Sequence, residues 1–473
     1  MIRTHTLLIF ILLLPLLGGQ LRGQEIEVRK LEINTPGNSE MAPVLKDSVL
    51  YFLSNRRTNI LVTYLDQDEE LLYRIFRAPL KPDGTFKKPK LFSPPGQPRF
   101  NAGPLTFSSN GATLIATHNL SDSYRRSKPP DNNNLLGLFS ARKENKGWRQ
   151  YEKLPLNIPE GYSAGHPSIS EDGRFLFFVS DMDDGHGNTD IYVSRRLGGE
   201  WSDPENLGPQ INTPGKELFP FIHPSGKLFF TSDGHEGPGE FCIYYTEWDT
   251  PETKPVPLPP PINSNSNDFS SFIADNEKWG YFASDRSGDD EIYEFRFPEI
   301  ACSEPSEVKA DNLCFTFFED GPARTDTLPQ IYRWDFGDGE SATGLKVDHC
   351  FPGPGNYEVT LHVVDTLTNE ELSSVASYDL ELKPSRQIWF ELPDTITTGE
   401  KIQMMAEFSG YEEVPENPVF FWDFDNGESR IGQNISYIYQ EPGDYKVTCA
   451  SVLDDGQEVC FFREITVIDP KQE

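Results

Sequence analysis

The feature of this sequence that most constrains its fold is a unit that occurs five times between residues 43 and 297. Each copy has a short β-type segment, a polar turn and a strongly apolar segment. The copies begin 51 to 63 residues apart, at Pro43, Pro104, Pro167, Pro220 and Ser271. A repeat of this length indicates an array of similar units rather than one ordinary core.

The turns within the copies have the chemistry of β-hairpins, because Asp, Asn, Ser and Gly tolerate the backbone conformations that tight turns need. They are Asp47-Ser48, Asn110-Gly111, Asp172-Gly173, Ser225-Gly226 and Asn276-Glu277. A third short segment follows, and then a fourth that contains an aromatic residue in four of the copies. Four short strands per unit predict a β-propeller.

The two ends of the repeat array complement each other. The fifth copy has no fourth segment after Phe297, whereas Glu25–Gly37 matches the fourth segment of an inner copy, Glu205–Gly215. We therefore predict that the N-terminal strand completes the last blade and closes the ring. Five copies predict five blades; six blades are the alternative. The proline-rich stretch Pro251–Pro261 aligns with a fourth strand, so we interpret it as blade structure.

The N-terminus predicts export. Arg3 precedes an apolar run from Thr6 to Leu17, and small and polar residues follow up to Gln24. This pattern indicates a signal peptide over residues 1–23, and the run is too short to cross a bilayer of about 30 Å. A membrane anchor is the alternative interpretation of that run. We expect no transmembrane segment in the mature chain.

The net charge excludes one class of partner. The chain carries a formal charge of −32, and such an acidic surface repels phosphate backbones. We therefore expect no nucleic acid partner.

Residues 25–300 resemble the TolB-like, WD-repeat-like propellers of bacterial cell envelopes. The motifs that carry the resemblance are N-x-P-G-x-E-x-x-P, S-D-G-H-x-G-x-G and D-I-Y. The resemblance implies a propeller domain over residues 24–300 and a place near outer-membrane, type IX secretion or surface-motility machinery. Cys242 departs from the pattern, because Asp190 and the family's usual aspartate stand at its position.

The C-terminal part contains two copies of another motif. The first is Tyr332–Gly339 with Val347–Leu361, and the second is Phe421–Gly427 with Tyr437–Thr448. Both resemble the PKD (polycystic-kidney-disease) domain, which implies two immunoglobulin-like β-sandwiches, over residues 303–384 and 385–470. The second copy departs from the family pattern at Asp425-Asn426.

Six cysteines in an exported chain allow three disulfides. A two-residue loop at Asp454-Asp455 would place Cys449 opposite Cys460 on a hairpin, so we predict that pair first. Cys314 with Cys350 is the second prediction, and Cys242 with Cys302 is what remains. The sequence contains no C-x-x-C pair, so we expect these cysteines to bind no zinc.

Two sequence motifs match patterns found in catalytic or metal-binding sites. Ser163 lies in a G-x-S-x-G sequence, but no strand-to-helix context or hydrolase domain accompanies it. Asp181, Asp183 and Asp190 are a weak calcium candidate that lacks EF-hand spacing. We predict no catalytic residue, no cofactor and no other metal site.

One face of the propeller is the predicted binding side, because the loops between second and third strands and the loops entering each blade emerge there. The two longest insertions, Thr58–Leu72 and Asn119–Leu135, belong to this face, and insertions gathered on one face mark a binding side. Its candidate residues are Arg56, Arg57, Arg125, Arg126, Asp181, His186, Asp233, His235, Asp285 and Arg286, with Asn34, Asn212 and Asn263 beside them.

The sequence thus predicts a non-catalytic interaction or scaffold protein that docks an envelope protein or a glycan. We expect it in the periplasm or at the outer membrane of a Gram-negative bacterium, with the cell surface as the alternative. The alternative functions are a carbohydrate-binding or adhesive surface protein and a propeller-associated hydrolase.

Overall fold

The computed structural model describes residues 26–57, 72–95, 101–120, 135–145, 147–250, 254–298, 313–318, 330–382, 386–411, 414, 418–453 and 457–470. The predicted signal peptide, Arg125, Arg126 and Cys302 lie outside these ranges. The described residues form strands and turns, which confirms the all-β fold class. No helix among them has the length and apolar character needed to cross a membrane.

The N-terminal part contains short strands, most of them six or seven residues long. In chain order they are β1 (Glu27–Lys30), β2 (Glu40–Lys46), β3 (Val49–Ser54), β4 (Arg74–Pro79), β5 (Lys90–Leu91), β6 (Ala102–Phe107), β7 (Thr113–Asn119), β8 (Leu136–Glu144), β9 (Gly147–Trp148), β10 (Glu152–Lys153), β11 (Ala164–Ile169), β12 (Phe175–Ser180), β13 (Asp190–Leu197), β14 (Glu200–Trp201), β15 (Glu205–Asn206), β16 (Glu217–Ile222), β17 (Lys227–Ser232), β18 (Cys242–Glu247), β19 (Val256–Pro257), β20 (Asp268–Ile273), β21 (Trp279–Ser284) and β22 (Glu291–Arg296).

These strands form antiparallel sheets, one for each sequence repeat in the described residues. Sheet I contains β2–β5, sheet II β6–β10, sheet III β11–β15, sheet IV β16–β19, and sheet V β20–β22 together with β1. In sheet V, Glu27 lies opposite Arg296 and Lys30 opposite Tyr293. The predicted closure of the ring by the N-terminal strand is therefore confirmed.

The first strands of the sheets surround the central axis. Each contacts the first strand of the next sheet, and β20 of sheet V contacts β2 of sheet I, so the contacts run in a closed ring. Every first strand contains a register shift, as between Met41 and Val44. Such bulges bend a strand and redirect its side chains. The sheets thus form the propeller that the repeat predicts.

The central channel is nearly filled. Its cavity measures about 50 Å³, and the His166 ring stacks on Phe219 with centroids 4.2 Å apart. Side chains from the first strands of all five sheets line this cavity and leave little free space in the described part of the channel.

The propeller has two ends. Because neighbouring strands are antiparallel, the turns between first and second strands and the connections between third and fourth strands lie at one end, which we call the turn face. The connections between second and third strands, and those between sheets, lie at the other end, which we call the loop face. Strands β3 and β7 end, and β4 and β8 begin, at the loop face; residues 58–71 and 121–134, which lie between them in the sequence, are outside the described part.

The two PKD domains follow the propeller. Their strands are β23 (Cys314–Phe318), β24 (Gln330–Asp335), β25 (Ser341–Thr343), β26 (Lys346–Cys350), β27 (Gly355–Asp365) and β28 (Glu371–Leu382) in the first domain, and β29 (Gln387–Trp389), β30 (Thr395–Thr397), β31 (Lys401–Met405), β32 (Glu407–Ser409), β33 (Phe420–Asp423), β34 (Ser429–Ile431), β35 (Asn434–Ile438), β36 (Gly443–Val452) and β37 (Glu458–Ile468) in the second. Trp334 and Trp422 lie in the cores of the two domains and donate their indole N–H groups to the Gly344 and Gly432 carbonyls at 3.0 and 2.8 Å.

The departure of the second PKD motif has a structural reason. In the first domain Asp338 contacts the His349 ring at 2.7 Å, and in the second domain Asn426 donates to the Tyr437 hydroxyl at 2.7 Å. An acid–histidine contact thus holds this turn in the first domain, and an amide–phenol hydrogen bond holds the equivalent turn in the second. The change at Asn426 is therefore matched by a change in its partner strand.

The structure confirms one disulfide prediction and contradicts two. Cys314 and Cys350 are bonded across β23 and β26. Cys449 is free, because β36 and β37 pair with Ala450 opposite Cys460 and Cys449 opposite Phe461. A shift of one residue turns the two side chains to opposite faces of the sheet. Cys460 is disulfide-bonded, but not to Cys449.

The predicted bond between Cys242 and Cys302 is also wrong, because Cys242 is a free, buried thiol. Its sulfur accepts the Gly239 N–H at 3.4 Å. The equivalent Asp190 carboxylate in sheet III accepts the N–H groups of His186 and Gly187. The Cys242 sulfur therefore accepts one hydrogen bond from its loop, where the Asp190 carboxylate accepts two.

Candidate functional site

Two of the predicted binding-face arginines, Arg56 and Arg286, act as internal braces. Arg56 donates to Glu40 at 2.8 Å and Arg286 to Asp268 at 2.6 Å. Both carboxylates are completely buried, and each guanidinium also lies over two aromatic rings. The arginines supply the countercharge that a buried carboxylate requires.

The two buried acids also hold the loops that enter their sheets. Glu40 accepts the N–H and the hydroxyl of Thr35, at 3.1 and 2.8 Å. Asp268 accepts the same two groups of Ser264, at 2.6 and 2.8 Å. The acidic position of the N-x-P-G-x-E repeat is therefore a structural anchor.

The asparagines of the same loops clamp the preceding sheet. Each side-chain amide both accepts the N–H and donates to the C=O of one residue in a third strand, at 2.8 to 3.0 Å. The pairs are Asn34 with Ile292, Asn212 with Ile191, and Asn263 with Ile243. These amides thus continue the sheet where the fourth strand ends.

Sheet IV has the buried acid without the arginine. Glu217 accepts the N–H and hydroxyl of Thr213 at 2.8 and 2.7 Å and the Ser232 hydroxyl at 2.7 Å. Burial raises the pKa of Glu217 despite these hydrogen bonds. His235 Nε2 donates to the Ile211 carbonyl at 2.9 Å, in the position that arginine nitrogens occupy in sheets I and V.

The predicted aspartates of the loop face hold backbone as well. Asp181, Asp233 and Asp285 each accept the N–H of a residue entering their sheet, at 2.7, 2.5 and 2.9 Å. Among the described residues of the predicted face, most hold neighbouring groups in place, and Arg57 and His186 are exposed.

The calcium candidate is not assembled. Asp181 accepts the Ser163 N–H, Asp183 the Tyr162 hydroxyl, and Asp190 two N–H groups of its own loop. Across the described residues, no group of three or more His, Cys, Asp or Glu side chains could hold a metal ion.

Removing one brace tests this assignment. We expect Arg56→Met to lower the free energy of unfolding by about 2 kcal/mol, less than the usual loss for a broken buried ion pair. The loss is reduced because Glu40 keeps the kinds of hydrogen bond that suffice for Glu217. Urea denaturation measures the effect, and Arg57→Met, at an exposed neighbour, is the matched control. Equal losses in both variants would contradict the brace.

Ser163 has the contacts of a structural residue. Its hydroxyl oxygen accepts the Leu136 N–H at 3.2 Å, and its carbonyl accepts the Ser180 hydroxyl at 2.7 Å. The nearby His166 uses Nδ1 to accept the Phe219 N–H at 3.2 Å.

A buried ionic cluster joins the propeller to the second PKD domain. We call it the Glu277 cluster; it contains His223, Lys227, Glu277 and Arg430. Glu277 lies 2.6 Å from Lys227 Nζ, 3.5 Å from His223 Nδ1 and 3.7 Å from Arg430 Nε. Burial would raise the pKa of Glu277, but Lys227, His223 and Arg430 together outweigh it and lower the pKa to about 2.

Backbone groups of β34 complete the contact. Glu277 accepts the Ile431 N–H at 3.0 Å, Lys227 donates to the Ile431 carbonyl, and the Ser429 hydroxyl donates to the Asn276 carbonyl. The Phe297 and Phe421 rings pack edge to face beside them, with centroids 5.6 Å apart. The second PKD domain is therefore seated on the turn face, at sheets IV and V.

Sequence reasoning missed this cluster, although a signal was present. Glu277 stands at the turn position that Gly111, Gly173 and Gly226 occupy in other copies, and its φ is 53°. A side chain is rarely placed in this left-handed conformation without a compensating role. A glutamate at a turn position where three other copies have glycine was therefore the sequence signal for this cluster.

Next to the Glu277 cluster lies a cleft between the two domains, with a volume of about 1030 Å³. One wall is the outer edge of sheet IV around Val256–Pro260. The other is the β31 and β35 region of the second PKD domain, including Gln403, Met405 and Asn434. Pockets at domain boundaries are common binding sites.

Comparison with known families identifies the C-terminal part. Residues 298–376 and 387–467 match the family model described as the PKD domain. Both PKD resemblances are thereby confirmed, whereas the TolB-like resemblance of the propeller and the domain bounds stay predictions. PKD domains and a disulfide indicate an exported or extracellular protein.

Solved structures show distant similarity. Prolyl oligopeptidase B from Galerina marginata is 10% identical, with a TM-score of 0.31 over 78% of this chain and 47% of that one. An α-L-arabinofuranosidase from Lactobacillus brevis is 12% identical, with a TM-score of 0.33 over 57% and 90%. The extracellular domain of a putative hybrid two-component system from B. thetaiotaomicron is 9% identical, with a TM-score of 0.31 over 95% and 100%. Similarity at this level carries no information on activity.

Proposed function

We propose that this chain is a non-catalytic interaction protein of the cell envelope, in which the loop face of the propeller docks a protein partner. The observation that carries the proposal is the seat of the second PKD domain. It covers part of the turn face through Lys227, Glu277 and Ile431, so the proposal places the partner at the opposite end, the loop face.

The loop face also has the features of a variable surface on a fixed frame. Strands β3 and β7 end at this face, before the long segments 58–71 and 121–134 in the sequence, and buried acids and asparagines fix the frame there. Binding residues are often found on loops that a rigid scaffold positions. The basic Arg125, Arg126 and Lys128 of the second segment contrast with the net charge of −32 and favour an acidic partner surface.

The place of action follows from the predicted signal peptide and from the resemblance of the propeller to envelope proteins. We propose the periplasm or the outer membrane, next to secretion or motility machinery. Protease treatment of intact cells tests this location. Degradation of the protein under these conditions would support the surface-exposed alternative instead.

Crosslinking in cells tests the docking role. The segments 59–70 and 122–133 are each replaced by a short Gly-Ser turn, and covalently captured partners are quantified by mass spectrometry. We expect one envelope protein to be enriched with the unchanged chain and lost with the replacements. Asp172→Lys, at an exposed turn of the opposite face, is the control and should retain the partner. Retention by all variants, or recovery of glycan alone, would contradict the proposal.

A further inference from the structure

We propose that the cleft between the propeller and the second PKD domain is a second binding site, separate from the loop face. Its occupant is an extended polypeptide segment with apolar side chains. The proposal rests on four features of the described residues: a fixed shape, an edge that only accepts hydrogen bonds, free amide groups and exposed apolar side chains.

The cleft has a fixed shape because the Glu277 cluster holds both of its walls. Lys227 belongs to the cluster, Ile431 is hydrogen-bonded to Lys227 and Glu277, and both residues line the cleft. Across the same boundary, the Ser436 hydroxyl donates to Glu247 at 3.0 Å. A preformed site loses little conformational freedom when a flexible segment binds.

Within the propeller wall, the backbone edge of sheet IV around Pro257 can accept hydrogen bonds from a bound backbone but has no N–H to donate. Leu258 donates its N–H to Ile243 at 2.9 Å, and Val256 lies opposite Tyr245, so these alternate residues face β18. Pro257 between them points its carbonyl away from the sheet, as the antiparallel pattern requires. Pro255 and Pro259 lie two residues to either side of Pro257, so their backbone groups point to the same side of the strand. Prolines have no N–H, and this side therefore carries no backbone donor.

The opposite wall supplies the missing donors. The side-chain amides of Gln403 and Asn434 are exposed and form no hydrogen bond with another residue in the described ranges. An amide can pair with both the N–H and the C=O of one extended residue, as Asn263 does with Ile243 in this chain. Together, the two walls match the alternating donors and acceptors of an extended backbone.

The apolar groups in the cleft favour a peptide over a sugar. Val256 is 42% and Met405 47% exposed, and both line the cleft. Methionine adapts its shape to varied apolar side chains. Tyr245 is the one aromatic residue in the described lining, and it packs against Phe229 at 5.7 Å. An open aromatic face, on which a sugar ring could stack, is thus missing from this lining.

A random-peptide library displayed on phage, selected against the full chain, tests the proposal. Affinities of the selected peptides are measured by fluorescence polarisation. We expect Val256→Asp and Met405→Asp to weaken binding by about tenfold each, and Gln403→Ala with Asn434→Ala to do the same. Leu197→Asp, at a side chain 66% exposed on sheet III, is the matched control and should bind normally.

Two results would overturn the proposal. One is equal affinity of the selected peptides for the cleft variants and the control, with all variants folded by circular dichroism. The other is a library that yields no binder while an oligosaccharide array gives binding that Met405→Asp abolishes.

Discussion

Glu277→Gln is expected to lower the free energy of unfolding by about 5 kcal/mol and to release the second PKD domain from the propeller. The reason is that Lys227 stays in the interface without a countercharge, while Arg430 keeps only the exposed Glu428, 3.0 Å away. Their side chains are only 4% and 11% exposed, so water cannot replace the carboxylate. Glutamine keeps an acceptor for the Ile431 N–H, and the change therefore isolates the charge.

Urea denaturation and small-angle scattering measure the two effects of Glu277→Gln. Asp275→Asn, an exposed acid in the same turn, is the control. The pKa of Glu277 is lowered to about 2 from 4.5, so its contribution is complete above pH 4.5 and is lost as the pH falls toward 2. In Glu277→Gln, the free energy of unfolding should not show this loss between pH 4.5 and pH 2. An unchanged scattering profile and midpoint would refute the role of the cluster.

His118→Phe is expected to remove a loss of stability between pH 6.5 and pH 4. His118 is completely buried, and burial lowers its pKa to about 4. Because this value lies below the unfolded value of 6.5, protons bind the unfolded chain more tightly in that interval. Stability is thus complete above pH 6.5, and about 3 kcal/mol of it is lost by pH 4.

The same substitution should not harm the protein at pH 7. Neither ring nitrogen of His118 has a hydrogen-bond partner in the described part of the chain, and the ring packs against Phe139 and Tyr151. A phenyl ring of similar shape removes two unsatisfied polar atoms. Thermal unfolding across the pH range is the measurement, with His186→Phe at an exposed position as the control. A pH profile equal to that of the unchanged chain would rule out His118 as its source.

The strand pattern could be predicted because each repeat contains its own hairpin signals, and comparison of the copies identified β1 as the missing strand of sheet V. The disulfide at Cys449 could not be predicted in the same way. Its position depended on the register of one hairpin, and one residue more or less in a loop reverses the face on which a thiol lies.

The binding face stays a prediction, because the sequence does not show how its residues are engaged. Arg56, Arg286 and His235 have the residue types of a binding surface, but their partners Glu40, Asp268 and the Ile211 carbonyl are internal. Sequence spacing placed these residues at the loop face without showing that their hydrogen bonds are made to internal groups. The Glu277 cluster joins residues more than 150 positions apart, and no local pattern reveals such a partnership.

The pairing of β1 with β22 sets the order in which this protein can be assembled. Arg29 and Glu294, in contact across that pair, are separated by 265 residues. Because the entropic cost of closing a loop grows with its length, hairpins within each sheet can form long before these ends meet. Until the segment around residue 294 has been synthesised, the ring stays an open arc with the edge of sheet I unsealed. A chain that crosses a membrane in extended form would therefore complete its propeller only after most of it has emerged.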